Sequence, residues 1–252
     1  MSEADQLWHD AFYKFAEVEK PQQLVQQLTQ VCEAAGVRGN IIVAGEGVNG
    51  MLAGTAEQLE QVQVVFASDK RFADMLYKRT KAKKLPFNKL RIRERAEIVP
   101  LGIEGVDGRD TGVDVSPEQW RELIKEDDVV LIDNRNAFEY KLGHFEGALD
   151  PGVKQFRQFK DFVETHQDEW QGKRVAMYCT GGIRCEKTSA WMKSKGFTVY
   201  QLEGGILNYF AQIPDAEADF TGECFVFDWR VALDTKLEET DTTLHDLEDQ
   251  GL

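Results

Sequence analysis

The sequence predicts an α/β protein in two folded parts, an N-terminal ferredoxin-like α+β unit and a C-terminal unit built on a mostly parallel sheet. Three observations predict it. Over the first hundred residues, strand-like and helix-like segments follow in the order βαββαβ, the split βαβ arrangement. Residues 101–115, "LGIEGVDGRDTGVDV", are glycine-rich and aperiodic and read as a linker. From Ser116 onward short apolar strands alternate with helices, the pattern of a parallel sheet.

In the first part, "AFYKFAEV" (11–18) reads as a strand. Pro21 opens an amphipathic helix to about Ala35, with Leu24, Val25, Leu28 and Val31 at helical spacing and Gly36 as its stop. "NIIVA" (40–44) and "MLAG" (51–54) flank the turn "GEGVNG" and make a hairpin. Thr55 with Gln58 forms a capping box for a helix over roughly 56–67. "DMLYKRTKAKK" and "KLRIRERAEIV" are strands. In the second, Leu90 and Ile92 share one face and Lys89, Arg91, Arg93 and Arg95 the other.

In the second part, Ser116-Pro117-Glu118-Gln119 starts a helix, with Ser as N-cap and Pro at the first turn. "DVVLIDNR", "VAMYC" and "TVYQLEGG" are strands, and "KTSAWMKSKG" is a helix. The organisation expected is therefore a basic ferredoxin-like domain over 1–100, a linker over 101–115, a parallel-sheet domain over 116–213 and an extension over 214–252. Asp234 to Leu252 holds seven acids and one lysine and is expected to be a mobile tail.

Bulk properties narrow the function. A chain of 252 residues with 42% hydrophobic content can bury a core in each part. No apolar run approaches the roughly 20 residues that span a bilayer. The acidic start MSEADQLWHD lacks the features of a secretory signal, so a cytoplasmic protein with no membrane partner is expected. The four cysteines, Cys32, Cys179, Cys185 and Cys224, form no CxxC pair and no metal-ligand spacing, so no metal is expected.

Net charge is −14, yet Lys78, Arg79, Lys81, Lys83, Lys84, Lys89, Arg91, Arg93 and Arg95 fall within eighteen residues beside one acid, Glu94. That segment is +8 in a remainder of −22, which marks a local anion-binding surface suited to RNA phosphates, with Phe72, Tyr77 and Phe87 near it to stack bases. The solvated face of a strand is the bland alternative. "GEGVNG" also matches G-x-G-x-x-G, but no helix follows it, so a hairpin turn is the better reading. No flavin, NAD or iron motif stands out, and no obligate protein partner is indicated.

The chemistry centres on "CTGGIR", Cys179 to Arg184. A free thiol titrates near ~8.5 and needs help to ionise. Cys179 ends a parallel strand, where open α/β sheets bind ligands. Thr180, Gly181, Gly182 and Ile183 offer backbone amides as an anion cradle, and a helix beginning near Arg184 points its positive end at the same spot. Together with Arg184 these are expected to leave Cys179 mostly ionised at cellular pH. A small buried thiol ending a strand is the alternative that the glycine pair and the arginine argue against.

"LIDNRNAFEYKLGHFEGALDPG" (131–152), "CTGGIR" and "GFTVYQLEGGILNY" resemble, in order, three motifs of the rhodanese family. The resemblance implies a rhodanese-like domain over 116–213 whose loop cysteine, Cys179, is the reactive group. The phosphatases of this fold carry one more residue between Cys and Arg, which disfavours phosphatase activity here. Asp133 is implied near the chemistry, Arg135 and Glu139 as a mutual salt bridge, and His144 as part of a structural turn. Cys185, six after Cys179, could serve as a resolving thiol or simply pack.

"GNIIVAGEGVNGMLAG", "PFNKLRIRERAEIVPLG" and "GECFVFDWRVA" further resemble the rhodanese-containing tRNA uridine(34) hydroxylase family, from about Phe12 to Ala232. The resemblance implies conversion of the wobble uridine to 5-hydroxyuridine by an enzyme that depends on its rhodanese cysteine and on prephenate, with the tRNA anticodon stem-loop as partner. Many members continue into a cysteine-rich segment with CxxC pairs where this chain is acidic, and Trp229 replaces a second acid. The alternative is a sulfurtransferase carrying sulfur from thiosulfate or a persulfide on Cys179, which would not need the basic segment. A binding module with a vestigial loop is a third reading, against which the intact Cys179 and Arg184 argue.

Overall fold

The computed structural model describes residues 6–82 and 84–248 and divides into two units, with the boundary between Val99 and Pro100. The first contains β1 (Leu7–Phe15), α1 (Pro21–Ala35), β2 (Arg38–Ala44), β3 (Gly47–Gly54), α2 (Ala56–Ser68), β4 (Tyr77–Ala82) and β5 (Leu90–Glu94). The sheet order β4-β1-β3-β2 is that of the expected ferredoxin-like fold, and β5 adds a fifth strand parallel to β2.

Local signals explain these elements. Thr55 Oγ1 accepts the Gln58 N–H at 3.3 Å while Gln58 Oε1 accepts the Thr55 N–H at 2.9 Å, a complete capping box. Gly36 closes α1 at φ 74°, a left-handed conformation that glycine adopts without a Cβ penalty. Leu24, Leu28 and Cys32 of α1 and Leu59, Val62 and Phe66 of α2 bury against Phe12, Ile41, Val43, Val48 and Leu52 of the sheet. Burial pushes the Cys32 thiol up to about 12, so it is packing and not chemistry.

Two expectations shift. The first strand begins at Leu7 and not Ala11, because Trp8 and Phe12 both pack toward the helices and Trp8 pairs with Gly54 at the far end of β3. "GEGVNG" is the β2–β3 hairpin, with β3 already under way at Gly47.

The second unit contains β6 (Val113–Val115), α3 (Pro117–Leu123), β7 (Val129–Asp133), α4 (Ala137–Leu142), β8 (Gly143–Phe145), α5 (Phe159–His166), β9 (Arg174–Tyr178), α6 (Ile183–Ser194), β10 (Val199–Leu202), α7 (Gly205–Gln212), β11 (Phe220–Gly222), β12 (Cys224–Phe225), β13 (Ala232–Leu233) and α8 (Leu244–Glu248). Strands β6-β10-β9-β7 form a wholly parallel sheet. Ser116 caps α3 by accepting the Gln119 N–H. Trp120, Phe145, Tyr178, Tyr209 and Phe220 interlock edge to face in the core.

Two segments differ from expectation. Val113–Val115, placed in the linker, form β6 at the sheet edge, where three ladder positions with β10 suffice despite the glycine-rich run before them. The segment from Asp234, expected as a mobile tail, is folded as far as it is described. Thr240 and Thr242 donate to Glu223 at 2.9 and 2.7 Å, and Leu247 of α8 is buried with Phe138, Phe225 and Val231. Dense acids hid that one apolar anchor from composition. Among the described residues no helix is long and apolar enough to cross a membrane.

Candidate active site

Cys179 follows β9 directly and is 1% exposed. Its Sγ accepts the Gly182 N–H at 3.1 Å and hydrogen bonds from the backbone amide and the thiol of Cys185. Gly182 sits at φ 103° as the N-cap of α6, a conformation that an L side chain rarely adopts. That turn aims the amides at sulfur. Burial pushes the Cys179 thiol up, but the Cys185 thiol, the Arg184 charge and the two amides outweigh it and hold it well below its ordinary value. Cys185 moves the other way: burial and the neighbouring sulfur keep it protonated. The site therefore holds one thiolate and one thiol donor.

The loop is clamped from both sides. Ile206 and Leu207, at the start of α7, donate to the carbonyls of Cys179 and Thr180 at 3.0 and 3.2 Å. Gly205 makes this approach possible, since a Cβ there would lie 2.4 Å from the Cys179 carbonyl oxygen. On the other side, Thr180 Oγ1 lies 3.4 Å from Glu139 Oε1 and 3.5 Å from the Phe225 carbonyl.

The buried ion pairs are not those expected. Arg184 binds Glu139 in a fork, Nη1 to Oε2 at 2.7 Å and Nη2 to Oε1 at 2.8 Å. Arg135 instead pairs with Asp133 at 2.8 and 2.6 Å and donates to the Gly143 carbonyl at 2.6 Å. The proposed Arg135–Glu139 bridge is thus replaced by two others. The reason is local: Glu139 sits at N3 of α4, its Oε2 accepting the Asn136 N–H, and from there it faces the start of α6. Burial raises Glu139, but Arg184 holds it below the usual carboxylate range.

Asp133 is fully buried, with Tyr178 Oη donating to Oδ2 at 2.7 Å. Its carboxylate is committed to Arg135 and Tyr178, so its place is behind the loop as a support. Asn134 reaches Cys185 Sγ at 3.8 Å and Thr188 Oγ1 at 3.0 Å. His144 holds the Tyr140 carbonyl at 2.9 Å and stacks on that ring, as a turn residue does. Sequence reading missed Glu139, Asn134 and Gly205 as site residues; the Asn136-x-x-Glu139 capping box was the visible signal for the first.

The basic residues divide. Lys84, Lys89, Arg91, Arg93 and Arg95 are exposed, and β5 alternates as expected, with Leu90 and Ile92 packed on the core. Lys78 lies over the Tyr13 ring and Lys81 over Trp8. Arg79, however, gives its Nε and Nη2 edge to the buried Asp10 at 2.8 and 2.9 Å, the edge that would grip a phosphate. Lys83 lies outside the described residues. Phe72 and Phe87 are core side chains, packed on Phe66 and His9, and neither presents a face for a base.

Residues 9–98 match the family described as UPF0176 acylphosphatase like domain, and residues 116–212 match the rhodanese-like domain. Among solved structures, a rhodanese-related protein from Thermoplasma volcanium is 18% identical with a TM-score of 0.31, covering 40% of this chain and 93% of that one. A relative from Legionella pneumophila (strain Paris), named tRNA uridine(34) hydroxylase, is 45% identical over 230 residues, 90% of this chain and 91% of that protein. One of the same name from Brucella anthropi is 41% identical over 93% of this chain and 77% of its own length. A rhodanese loop with a depressed cysteine, joined to an acylphosphatase-like unit and aligned along nearly its whole length with these relatives, makes this chain a member of the tRNA uridine(34) hydroxylase family.

Proposed function

We propose that this chain hydroxylates the wobble uridine of tRNA at C5, giving 5-hydroxyuridine, with Cys179 as the reacting group. The observation that carries the reading is the buried Cys179 sulfur, hydrogen-bonded by two amides and by the Cys185 thiol, a setting that favours its thiolate. A soft, desolvated thiolate adds readily to an electron-poor double bond. Addition of sulfur to uracil C6 moves the C5–C6 π pair onto C5 and the O4 carbonyl, so that C5 becomes a nucleophile. A two-electron oxygen donor from outside the chain then supplies the hydroxyl. Loss of the C5 proton expels Cys179 as thiolate.

Within that scheme Arg184 is a positioning residue, holding charge beside Cys179 while Glu139 fixes its fork. Thr180, Gly181, Gly182 and Ile183 form the loop backbone, and Asp133 supports the strand end through Arg135. Cys185 keeps a proton at the sulfur and stands ready to resolve an oxidised Cys179. The exposed cations from Lys84 to Arg95 would hold the anticodon stem-loop, in a cytoplasmic enzyme. The dependence on prephenate belongs to the same reading. Prephenate is a dicarboxylate, and each buried arginine of the second unit is already matched by a carboxylate: Arg135 by Asp133, Arg184 by Glu139 and Arg230 by Asp228. These arginines do not fit it.

The test is nucleoside mass spectrometry of tRNA from cells lacking this protein, complemented by wild type or by Cys179→Ser. Return of 5-hydroxyuridine with wild type alone is the expected outcome. No change with either, together with thiocyanate formation from thiosulfate and cyanide, would turn the assignment to sulfur transfer. Growth without prephenate should abolish the product.

A further inference from the structure

The hairpin β12–β13 carries its tip, residues 226–231, beside the cysteine loop. The Val226 N–H donates to the Val231 carbonyl at 2.8 Å and the Val231 N–H to the Asp228 carbonyl at 3.1 Å, with Val231 at φ 62°. Inside the tip, Arg230 binds Asp228 through Nε at 2.8 Å, Nη2 at 2.6 Å and its backbone N–H at 3.0 Å, and both side chains are buried. With 228 and 230 locked inward, 227 and 229 point out. Phe227 is 50% and Trp229 53% exposed, and they are the only exposed Phe, Tyr or Trp side chains among the described residues.

Phe227 ties the tip to the cysteine loop. The Phe227 ring lies 5.6 Å from Arg184 Cζ and 5.0 Å from the Phe225 ring, edge to face. The carbonyl of Phe225 in turn accepts from Thr180 of the cysteine loop. A tight tip held by a buried ion pair keeps two aromatic side chains in water beside the cysteine loop, where any large apolar side chain would otherwise tend to bury. Arg184 behind Phe227 fixes that ring on one face and leaves it open on the side toward solvent.

We propose that Phe227 and Trp229 form a stacking platform for a nucleobase of the single-stranded RNA loop, at the reacting uridine or one of its two neighbours. Every base has a π face, so a pair of fixed aromatics accepts it without a hydrogen-bond code. The platform rests on the RNA-modifying reading above and adds to it the element that would present the uridine to Cys179. It also replaces Phe72 and Phe87, whose burial removes them from this role.

The experiment uses the full chain and an anticodon stem-loop RNA, with an abasic residue at the wobble position or at either neighbour. Wild type is first shown to hydroxylate the parent RNA; failure there removes the RNA reading and the platform with it. Wild type should then bind one of the three abasic RNAs about ten-fold more weakly than the parent, within the range of aromatic–base stacking. The Phe227→Ala/Trp229→Ala variant should bind the parent about ten-fold more weakly and no longer distinguish that abasic RNA, while Phe227→Tyr/Trp229→Phe should recover the distinction. Equal thermal midpoints would show that the tip variants are folded. A double-alanine variant that modifies and discriminates as wild type does would overturn the platform and leave the hydroxylase reading standing.

Discussion

Cys179 and Cys185 show how one pair of like residues acquires opposite character. Both are buried, which alone would raise both. Placement decides the outcome: Cys179 lies under the amides of a helix start, and Cys185, on that helix, spends its proton on the neighbouring sulfur. Replacing Cys185 by alanine removes a donor to the thiolate and should move the midpoint of Cys179 alkylation to higher pH, with iodoacetamide labelling as the readout. An unchanged midpoint would mean that the amides and Arg184 suffice. Glu139 carries the second residue-scale prediction. Glu139→Gln leaves Arg184 buried without its counter-charge, a loss of about 3–5 kcal/mol by denaturant unfolding. The native carboxyl is held below its ordinary 4.5, so its contribution is present above that value and lost as pH falls through the folded value. The glutamine variant should therefore show a flatter fall in stability on the acid side.

At the scale of elements, the site is assembled by ends and not by middles. β7 and β9 end side by side, α4 and α6 begin facing each other, and α7 starts against the loop carbonyls. The C-terminal extension then closes the assembly, with β11 paired to β8 and α8 covering Phe138 and Phe225. Leu247 is the anchor of α8. Leu247→Ala should cost about 2–4 kcal/mol, the range for a buried leucine whose cavity collapses in part, as read by thermal or urea unfolding. If the extension were dispensable, as acid-rich composition suggests, the substitution would have no effect.

For the whole molecule, the uneven charge is the feature with a consequence. Exposed Lys84, Arg91 and Arg93 lie in an acidic protein, and Arg91 and Arg93 stand on the face of β5 opposite Leu90 and Ile92. Replacing the three by alanine should weaken tRNA binding and lower the magnitude of the slope of log K against log salt by about 0.7–0.9 for each phosphate no longer neutralised. A filter assay over a salt series reads both. Arg79→Ala should act differently, unfolding the first unit more easily by leaving the buried Asp10 without its counter-charge while the salt slope stays in place.

The sequence by itself determined the order of elements in the first unit, both capped helix starts, the hairpin at Gly45–Gly50 and the loop cysteine, because each rests on neighbours a few residues apart: a Thr and a Gln three positions on, a Ser before a Pro, two glycines after a strand. Only the tertiary structure decided the pairing of buried charges, since Arg135 and Arg184 had more than one carboxylate near the same sheet edge and the choice depended on which helix start faced which. It alone turned Phe72 and Phe87 inward, ordered the acidic segment around Leu247, and left Phe227, beside Arg184, and Trp229 exposed to water. Local spacing fixes what a segment becomes; long-range packing fixes which of its side chains are left to meet a substrate.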